Sequence, residues 1–232
     1  MGITNQIKIV SNSMLDIVYP NDCTICSTNL TNNESYLCLN CKYDLPYIEQ
    51  SQFNMKSLEK LFWGRVDVKH IFALLNYQKG NQTQKILHQL KYNKKTKLAQ
   101  HFGEMMGDLV KNTEKFSYLI PVPLHPKKKR IRSFNQSTVI AKGMFKSCDI
   151  PILEKAIKRT EFNKSQTNFT KYDRWDNVRN IFSVVKPKLF INKHIILIDD
   201  VLTTGATIEA CVKELLKIKG CKVSIAVLAV RV

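Results

Sequence analysis

Residues 195–207 read Ile-Ile-Leu-Ile-Asp-Asp-Val-Leu-Thr-Thr-Gly-Ala-Thr, and no other stretch constrains the fold of this chain as tightly. The apolar run Ile195 to Ile198 suits a buried parallel strand, because such strands are covered on both faces. Two carboxylates, Asp199 and Asp200, stand at its end. Thr203, Thr204, Gly205 and Thr207 follow. Ile208, Val212, Leu215 and Leu216 then recur at helical spacing. The expected order is strand, acidic pair, hydroxyl-glycine loop, helix.

That order carries a chemistry. A helix N-terminus presents unpaired backbone N–H groups and a partial positive charge, so it holds a phosphate. Gly205 lets the loop backbone approach an anion closely, and the threonine hydroxyls add donors. Carboxylates repel phosphate, but they accept hydrogen bonds from a neighbouring diol, as an acid does on ribose. Loop and acids together describe a ribose that carries a phosphate. The plain alternative is a βα turn whose threonines only cap a helix. Acids, hydroxyls, glycine and flanking elements all agree against it.

The stretch resembles the phosphoribosyl-pyrophosphate (PRPP) loop of the type I phosphoribosyltransferases. The resemblance implies that Asp199 and Asp200 are the catalytic pair and hold the ribose 2′- and 3′-hydroxyls. It also implies that Val201, Leu202, Thr203, Thr204, Gly205, Ala206 and Thr207 cradle the 5′-phosphate.

A second signal lies near the N-terminus. Cys23, Cys26, Cys38 and Cys41 form the pattern C-x2-C-x11-C-x2-C. Each C-x2-C pair puts two thiolates on one turn, and two such turns close a sulfur tetrahedron around Zn²⁺. A four-cysteine site has no open position, so it reads as structural. Disulfides fit poorly with a reducing compartment. A segment this short buries little apolar area, so the metal supplies most of its folding energy. Cys148, Cys211 and Cys221 read as isolated core or surface thiols.

The chain has 232 residues. That length suits a small N-terminal segment, 1–60, with the zinc finger and a connector, followed by a larger domain, 61–232. The segment 1–10 carries one lysine and no sustained apolar stretch, so it does not read as a secretory signal. No run is apolar for long enough to span a bilayer. The expected location is the cytosol.

Plausible strands run over Ile71 to Tyr77, Tyr118 to Val122, Ile195 to Ile198 and Val223 to Val230. Helical spacing covers Gln82 to Tyr92, Leu98 to Val110 and Phe134 to Phe145, and Leu58 to Trp63 reads as a connector. Strands alternating with helices predict an α/β fold with a mostly parallel sheet flanked by helices on both faces. Ligands in such sheets sit beyond the carboxyl ends of the strands, which puts the loops after Val122 and Ile198 on one rim.

The formal net charge is +17, a balance that favours polyanions. Seven lysines and no acid lie between Val68 and Gly103. No acid lies between Lys115 and Cys148, where Lys127, Lys128, Lys129, Arg130 and Arg132 nearly fill one loop. A solvated lysine-rich surface and a nucleic-acid surface both remain open on these grounds. A basic run of this kind binds phosphates without sequence preference and with strong salt dependence.

Further motifs are Leu90-Lys91-Tyr92, Pro121-Val122-Pro123-Leu124-His125, and Arg132-Ser133-Phe134-Asn135-Gln136. Another runs from Lys158-Arg159-Thr160 through Gln166 to Arg174, Asn177, Arg179, Asn180 and Phe182. With the four cysteines and the Asp-Asp loop, these resemble the ComF family in the expected order, from about Leu15 to Val232. The resemblance implies a type I phosphoribosyltransferase-like domain with an N-terminal zinc finger. It also implies a role in natural transformation, where incoming single-stranded DNA crosses the cytoplasmic membrane. Val122, Pro123, Leu124 and His125 then form the pyrophosphate-side loop, and Arg159, Arg174 and Arg179 belong to a mobile loop closing over substrate. Phe169, Tyr172 and Trp175 suit either base stacking or a lid packed on the core. Lys91, Tyr92, Lys127, Lys128, Lys129, Arg130 and Arg132 are the nucleic-acid-binding candidates. Zn²⁺ is expected as a structural ion and Mg²⁺ with PRPP. Expected partners are PRPP, single-stranded DNA, and a DNA-import channel and helicase at the inner membrane. Two departures from the family pattern stand out. Ser133 replaces a glycine before Phe-Asn-Gln, and Asn93-Lys94-Lys95 replaces a glycine after Lys-Tyr.

Three functions fit. The first is a DNA-handling competence protein that keeps PRPP binding. The second is an active Mg²⁺-dependent phosphoribosyltransferase acting on a nitrogen base, for which no base-binding hood can be assigned. The third is a PRPP-sensing regulator without chemistry.

Overall fold

The computed structural model describes residues 21–49, 52–92, 95–125, 130–159 and 181–231. The expectations for segment 1–10, for Lys127, Lys128 and Lys129, and for Arg174 and Arg179 lie outside these residues.

Four strands form one sheet: β1 (Ile71–Asn76), β2 (Tyr118–Pro121), β5 (His194–Leu202) and β6 (Lys222–Val230). Their order is β1-β6-β5-β2, and every neighbouring pair is parallel. The sequence alternates strand with helix, and each crossover returns the chain to the same end of the sheet, so a parallel sheet follows. A small antiparallel pair, β3 (Ile157–Arg159) with β4 (Phe182–Val184), lies apart from it.

Period-2 alternation splits the core into two clusters. One takes Phe72, Leu74, Ile196, Ile198, Ala226 and Leu228 from one sheet face. The other takes Ile71, Ala73, Ile195, Leu197, Ile225 and Val227 from the opposite face. The first face is covered by α3 (Gln82–Tyr92), α4 (Thr96–Val110) and α5 (Gln136–Cys148), preceded in the chain by α1 (Leu39–Tyr43) and α2 (Gln52–Glu59). The second is covered by α6 (Ala206–Leu216) and by Leu58 and Phe62. The stretch read as a connector is therefore helical. It runs from α2 into a 3-10 turn, Lys60–Phe62, with Phe62 fully buried.

The cysteine segment does not stand apart from this core. Cys23, Leu37, Cys41 and Leu45 belong to the same apolar cluster as α3, α4 and α5. The Tyr36 ring lies 5.5 Å from that of His101 on α4. Ile48 N–H donates to the Leu74 carbonyl at 2.9 Å and Asn76 N–H to the Pro46 carbonyl at 2.8 Å, so the segment extends the sheet edge at β1. Helices α4 and α5 touch backbone to backbone. A Cβ on Gly103 would stand 2.2 Å from the Ile140 carbonyl oxygen, and one on Gly143 would stand 2.1 Å from that of Gln100.

Two of the element ends that differ from the sequence reading bear on the site. β5 does not stop at Ile198, because β6 runs on to Val230 and keeps Asp199, Val201 and Leu202 in register with Val227, Ala229 and Val230. Helix α5 starts at Gln136 rather than Phe134. Ser133 takes a left-handed φ of 66°, and the Asn135 side chain accepts from Ser137 N–H at 3.2 Å as the N-cap.

Candidate functional site

The carboxyl ends of β2 and β5 open into a cavity of about 230 Å³. β5 and its following loop contribute Asp199, Asp200, Val201 and Thr203, and the first turn of α6 contributes Thr207. The loop after β2 contributes Val122, Pro123, Leu124 and His125. A smaller hollow of about 50 Å³ adjoins it over Leu202, Thr204, Gly205 and Ala206, at the N-terminus of α6. Every residue named from the acidic-pair loop and the pyrophosphate-side loop therefore lines one hollow or the other.

The loop geometry has local causes. Gly205 caps α6 at φ 74°, a conformation that favours glycine. Space is a second cause, since a Cβ there would stand 3.0 Å from the Phe62 ring. Arg65 ties the loop from behind. Its Nη1 donates to the Thr204 carbonyl and to the Leu61 carbonyl, each at 3.1 Å. Its Nε donates to Glu209 at 2.9 Å, and its Nη2 pairs with the same carboxylate. The guanidinium also lies 5.5 Å from the Phe62 ring centroid. Glu209 sits in the first turn of α6, where its charge suits the helix dipole.

The two acids have different surroundings. Asp199 Oδ1 accepts from Ser137 Oγ at 3.0 Å and from Asp200 N–H at 2.9 Å. Burial, then the neighbouring Asp200 carboxylate, pushes the Asp199 carboxyl up to about 7. Asp200 Oδ2 lies 3.3 Å from Lys91 Nζ. Lys91, placed by sequence among the nucleic-acid residues, is thus turned into the cavity from the last turn of α3. Tyr92 beside it is 55% exposed, with the Arg132 guanidinium 5.8 Å from its ring centroid and the His88 ring at 4.8 Å. Arg132 and Arg159 also line the cavity. Arg130 is exposed outside it.

Asn135, Gln136 and Ser137 line the cavity too, although sequence reasoning gave them no role. Asn135 Nδ2 donates to the Val122 carbonyl at 2.9 Å, while Val122 N–H donates to the Ile198 carbonyl at 2.9 Å. The loop after β2 is thereby pinned on both sides. Gln136 is buried, accepts from Arg132 at 3.3 Å and donates to the Leu90 carbonyl at 3.5 Å. The Phe-Asn-Gln motif was the available signal for two of these three. Arg65 had none.

Donors at a helix N-terminus, two carboxylates and three cations around two adjoining hollows suit a ligand with both a diol and phosphates. The carboxylates are oxygen donors of the kind a hard divalent cation takes.

The four-cysteine cluster lies elsewhere. The Sγ atoms of Cys23, Cys26, Cys38 and Cys41 all fall within 4.8 Å of one another. Zinc–sulfur bonds of about 2.3 Å imply a tetrahedral S···S edge of about 3.8 Å, and Cys26 and Cys38 stand 3.7 Å apart. The cluster can hold a metal ion, and four thiolates at this spacing fit zinc. Hydrogen bonds to Thr28 hold the Cys26 thiol down at about 6, while burial pushes that of Cys41 up. Among the described residues, no helix is long and apolar enough to cross a membrane.

Residues 136–231 match the family model of the phosphoribosyl transferase domain. The chain is 34% identical over 101 residues to competence protein F of Haemophilus influenzae, a match covering 43% of this chain and 44% of that protein. It is 28% identical over 204 residues to competence protein ComFC of Streptococcus pneumoniae, covering 83% and 86% of the two. It is 25% identical over 138 residues to the DNA utilization protein YhgH of Escherichia coli K12, covering 57% and 60%. The matched part spans less than half of the Haemophilus protein and most of the pneumococcal one.

Proposed function

We propose, from the premise that this chain belongs to the ComF family, that it binds PRPP or a related phosphoribosyl ligand and takes part in DNA uptake. In this reading it handles incoming single-stranded DNA on the cytoplasmic side during natural transformation. The observation that carries it is the convergence, in two adjoining hollows, of the loop at the α6 N-terminus, the acid pair and the cations Lys91, Arg132 and Arg159.

Each part has a role. The N–H groups and hydroxyls of Thr203 to Thr207 take the 5′-phosphate. Asp199 and Asp200 accept from the ribose hydroxyls. The loop Val122 to His125, with Arg159 and Lys91, faces the pyrophosphate. Asp199 and Asp200 are the groups that would hold Mg²⁺, which when bound neutralises charge on the pyrophosphate. The loop from Lys127 to Arg132 binds the DNA backbone without reading sequence. The exposed Tyr92 ring offers a base a stacking surface. Two relatives carry competence in their names and a third DNA utilization, which supports this reading over a purely metabolic one. A position beside the membrane, with an import channel and a helicase, belongs to the same proposal.

One observation favours a second reading, in which the chain transfers phosphoribosyl from PRPP to a nitrogen base. Asp199 lines the cavity with its carboxyl pushed up by burial and by the Asp200 carboxylate, which suits it to exchange a proton with a ligand there. The base nitrogen would bond to the ribose C1, pyrophosphate would leave with the bonding pair, and the nitrogen's proton would pass to a base.

The test is single-stranded DNA binding by fluorescence anisotropy, with and without Mg²⁺ and PRPP. DNA affinity that shifts when PRPP is added is the expected result. No DNA binding, combined with pyrophosphate release from PRPP and a base, would replace the first reading with the second.

A further inference from the structure

The end of the sheet opposite the cavity carries a feature to which the proposed function gives no role, and the inference from it deepens the position beside the membrane that the proposal includes. The strand order is β1-β6-β5-β2, and a lysine stands at the entry of each strand. Lys69 precedes β1, Lys219 and Lys222 stand at β6, Lys193 precedes β5 and Lys115 precedes β2. Backbone bonds hold these entries side by side. Lys69 N–H donates to the Val223 carbonyl at 2.9 Å, Lys222 N–H to that of Lys193 at 2.8 Å, and Ser117 N–H to that of His194 at 2.7 Å. Neighbouring strands lie about 4.8 Å apart, so the row spans roughly 14 Å.

The turn before β5 widens the row into a face. It adds the exposed Lys186 and Lys188 and joins the β6 entry where Asn192 N–H donates to the Lys219 carbonyl at 3.1 Å. The carboxylates nearby are already engaged. Asp67 pairs with Lys69, Glu214 with Lys217, Glu59 with His70, and Glu114 bridges His70 and His194. Among the described residues, Lys115, Lys186, Lys188, Lys193, Lys219 and Lys222 have no carboxylate within ion-pair distance. Two aliphatic side chains stand out of this field, Leu189 at 44% and Ile191 at 43% exposure.

We infer that this strand-entry edge is a docking face for an anionic lipid bilayer. The charge complementarity is direct, since unpaired lysines at a surface are drawn to anionic headgroups. Leu189 and Ile191 supply what such a surface can take and a phosphodiester strand cannot, namely apolar side chains that enter the headgroup boundary. Single-strand binding uses exposed rings for base stacking, and the exposed apolar groups here are aliphatic. Asp200 lies about 20 Å along β5 from this edge, so a docked chain keeps its cavity facing away from the lipid. The inference does not depend on what the cavity binds.

The experiment is co-sedimentation of the full chain with vesicles of phosphatidylcholine alone or mixed with phosphatidylglycerol. Binding is expected to the mixed vesicles only and to weaken with salt. The triple variant Lys193→Gln, Lys219→Gln, Lys222→Gln should lower partitioning by more than roughly tenfold. A control with the same charge change elsewhere, Lys79→Gln, Lys85→Gln, Lys97→Gln, should lower it far less. Leu189→Ser with Ile191→Ser should weaken binding without changing its salt slope. Equal losses in both triple variants, or no vesicle binding at all, overturn the inference. So does a triple variant that loses single-stranded DNA binding while vesicle binding is unchanged, since that assigns the edge to nucleic acid. Unfolding temperatures of all variants separate loss of binding from loss of fold.

Discussion

Arg65 donates to the Thr204 carbonyl at 3.1 Å across a separation of 139 residues. Thr204 lies in the loop over the α6 N-terminus, and the bond commits its carbonyl to Arg65. A loop fixed in this way keeps its N–H groups directed at an anion instead of collapsing onto its own carbonyls. Arg65→Met should therefore weaken PRPP binding about tenfold, the equivalent of one charge-assisted hydrogen bond of roughly 1.5 kcal/mol. Calorimetric titration with PRPP measures this. Arg65→Lys keeps the charge but not the fork, so it should recover only part of the affinity. Full affinity in Arg65→Met would mean that the loop holds its shape unaided.

Asp199 gives a pH signature. Its carboxyl titrates near 3.8 in the unfolded chain and at about 7 in the fold. Between those values the folded chain holds a proton that the unfolded chain has lost, so ionisation of this group opposes folding. Its contribution to stability is full below about pH 4 and falls as pH rises toward 7. Asp199→Asn cannot ionise, and the difference in unfolding free energy between the two proteins should grow in favour of the asparagine variant across that window. Denaturant melts at a series of pH values test the sign. A difference that is flat with pH would mean that Asp199 is ionised throughout.

Much of this site was legible because its signals are local. Asp199 to Thr207 are contiguous, and their residue types state their chemistry without knowledge of the fold. The same holds for the cysteine spacing. Lys91 was legible as a basic residue but not as a cavity residue, because only the packing of α3 turns its ammonium toward Asp200. Arg65 was not legible at all, since it acts through a backbone carbonyl and carbonyls leave no trace in sequence. The end of β5 was misplaced for a related reason. Two adjacent acids look like the end of a buried strand, yet β6 continues beside them and supplies the pairing.

The cysteine cluster should matter beyond its own segment. Cys23 and Cys41 pack in the same apolar cluster as α3, α4 and α5, so metal loss loosens a face of the main core. Cys38→Ser should release the metal and lower the unfolding temperature of the whole chain, with a cost of several kcal/mol. Metal content by mass spectrometry, read beside a thermal melt, checks both halves. An unchanged melt in a metal-free variant would mean that the core holds the segment without the ion.

Ser133 occupies the position where the family pattern has glycine, and it adopts φ 66°. That left-handed conformation is one glycine takes without strain. Ser133→Gly relieves a left-handed strain of about 1–2 kcal/mol but adds freedom to the unfolded chain worth about 0.4–1 kcal/mol. Its net effect should be neutral to stabilising by up to about 1.6 kcal/mol. Ser133→Val should destabilise by about 1–2 kcal/mol, because a β-branched side chain tolerates this region poorly. The change also reaches the cavity. Two residues on, Asn135 caps α5 and holds the Val122 carbonyl at 2.9 Å, so a shifted turn moves the loop Val122 to His125. Ser133→Val should thus lose PRPP affinity as well as stability, whereas Ser133→Gly should keep both. Paired denaturant melts and PRPP titrations on the two variants decide it, and equal stability of the valine and glycine variants would show that this turn is not held at positive φ.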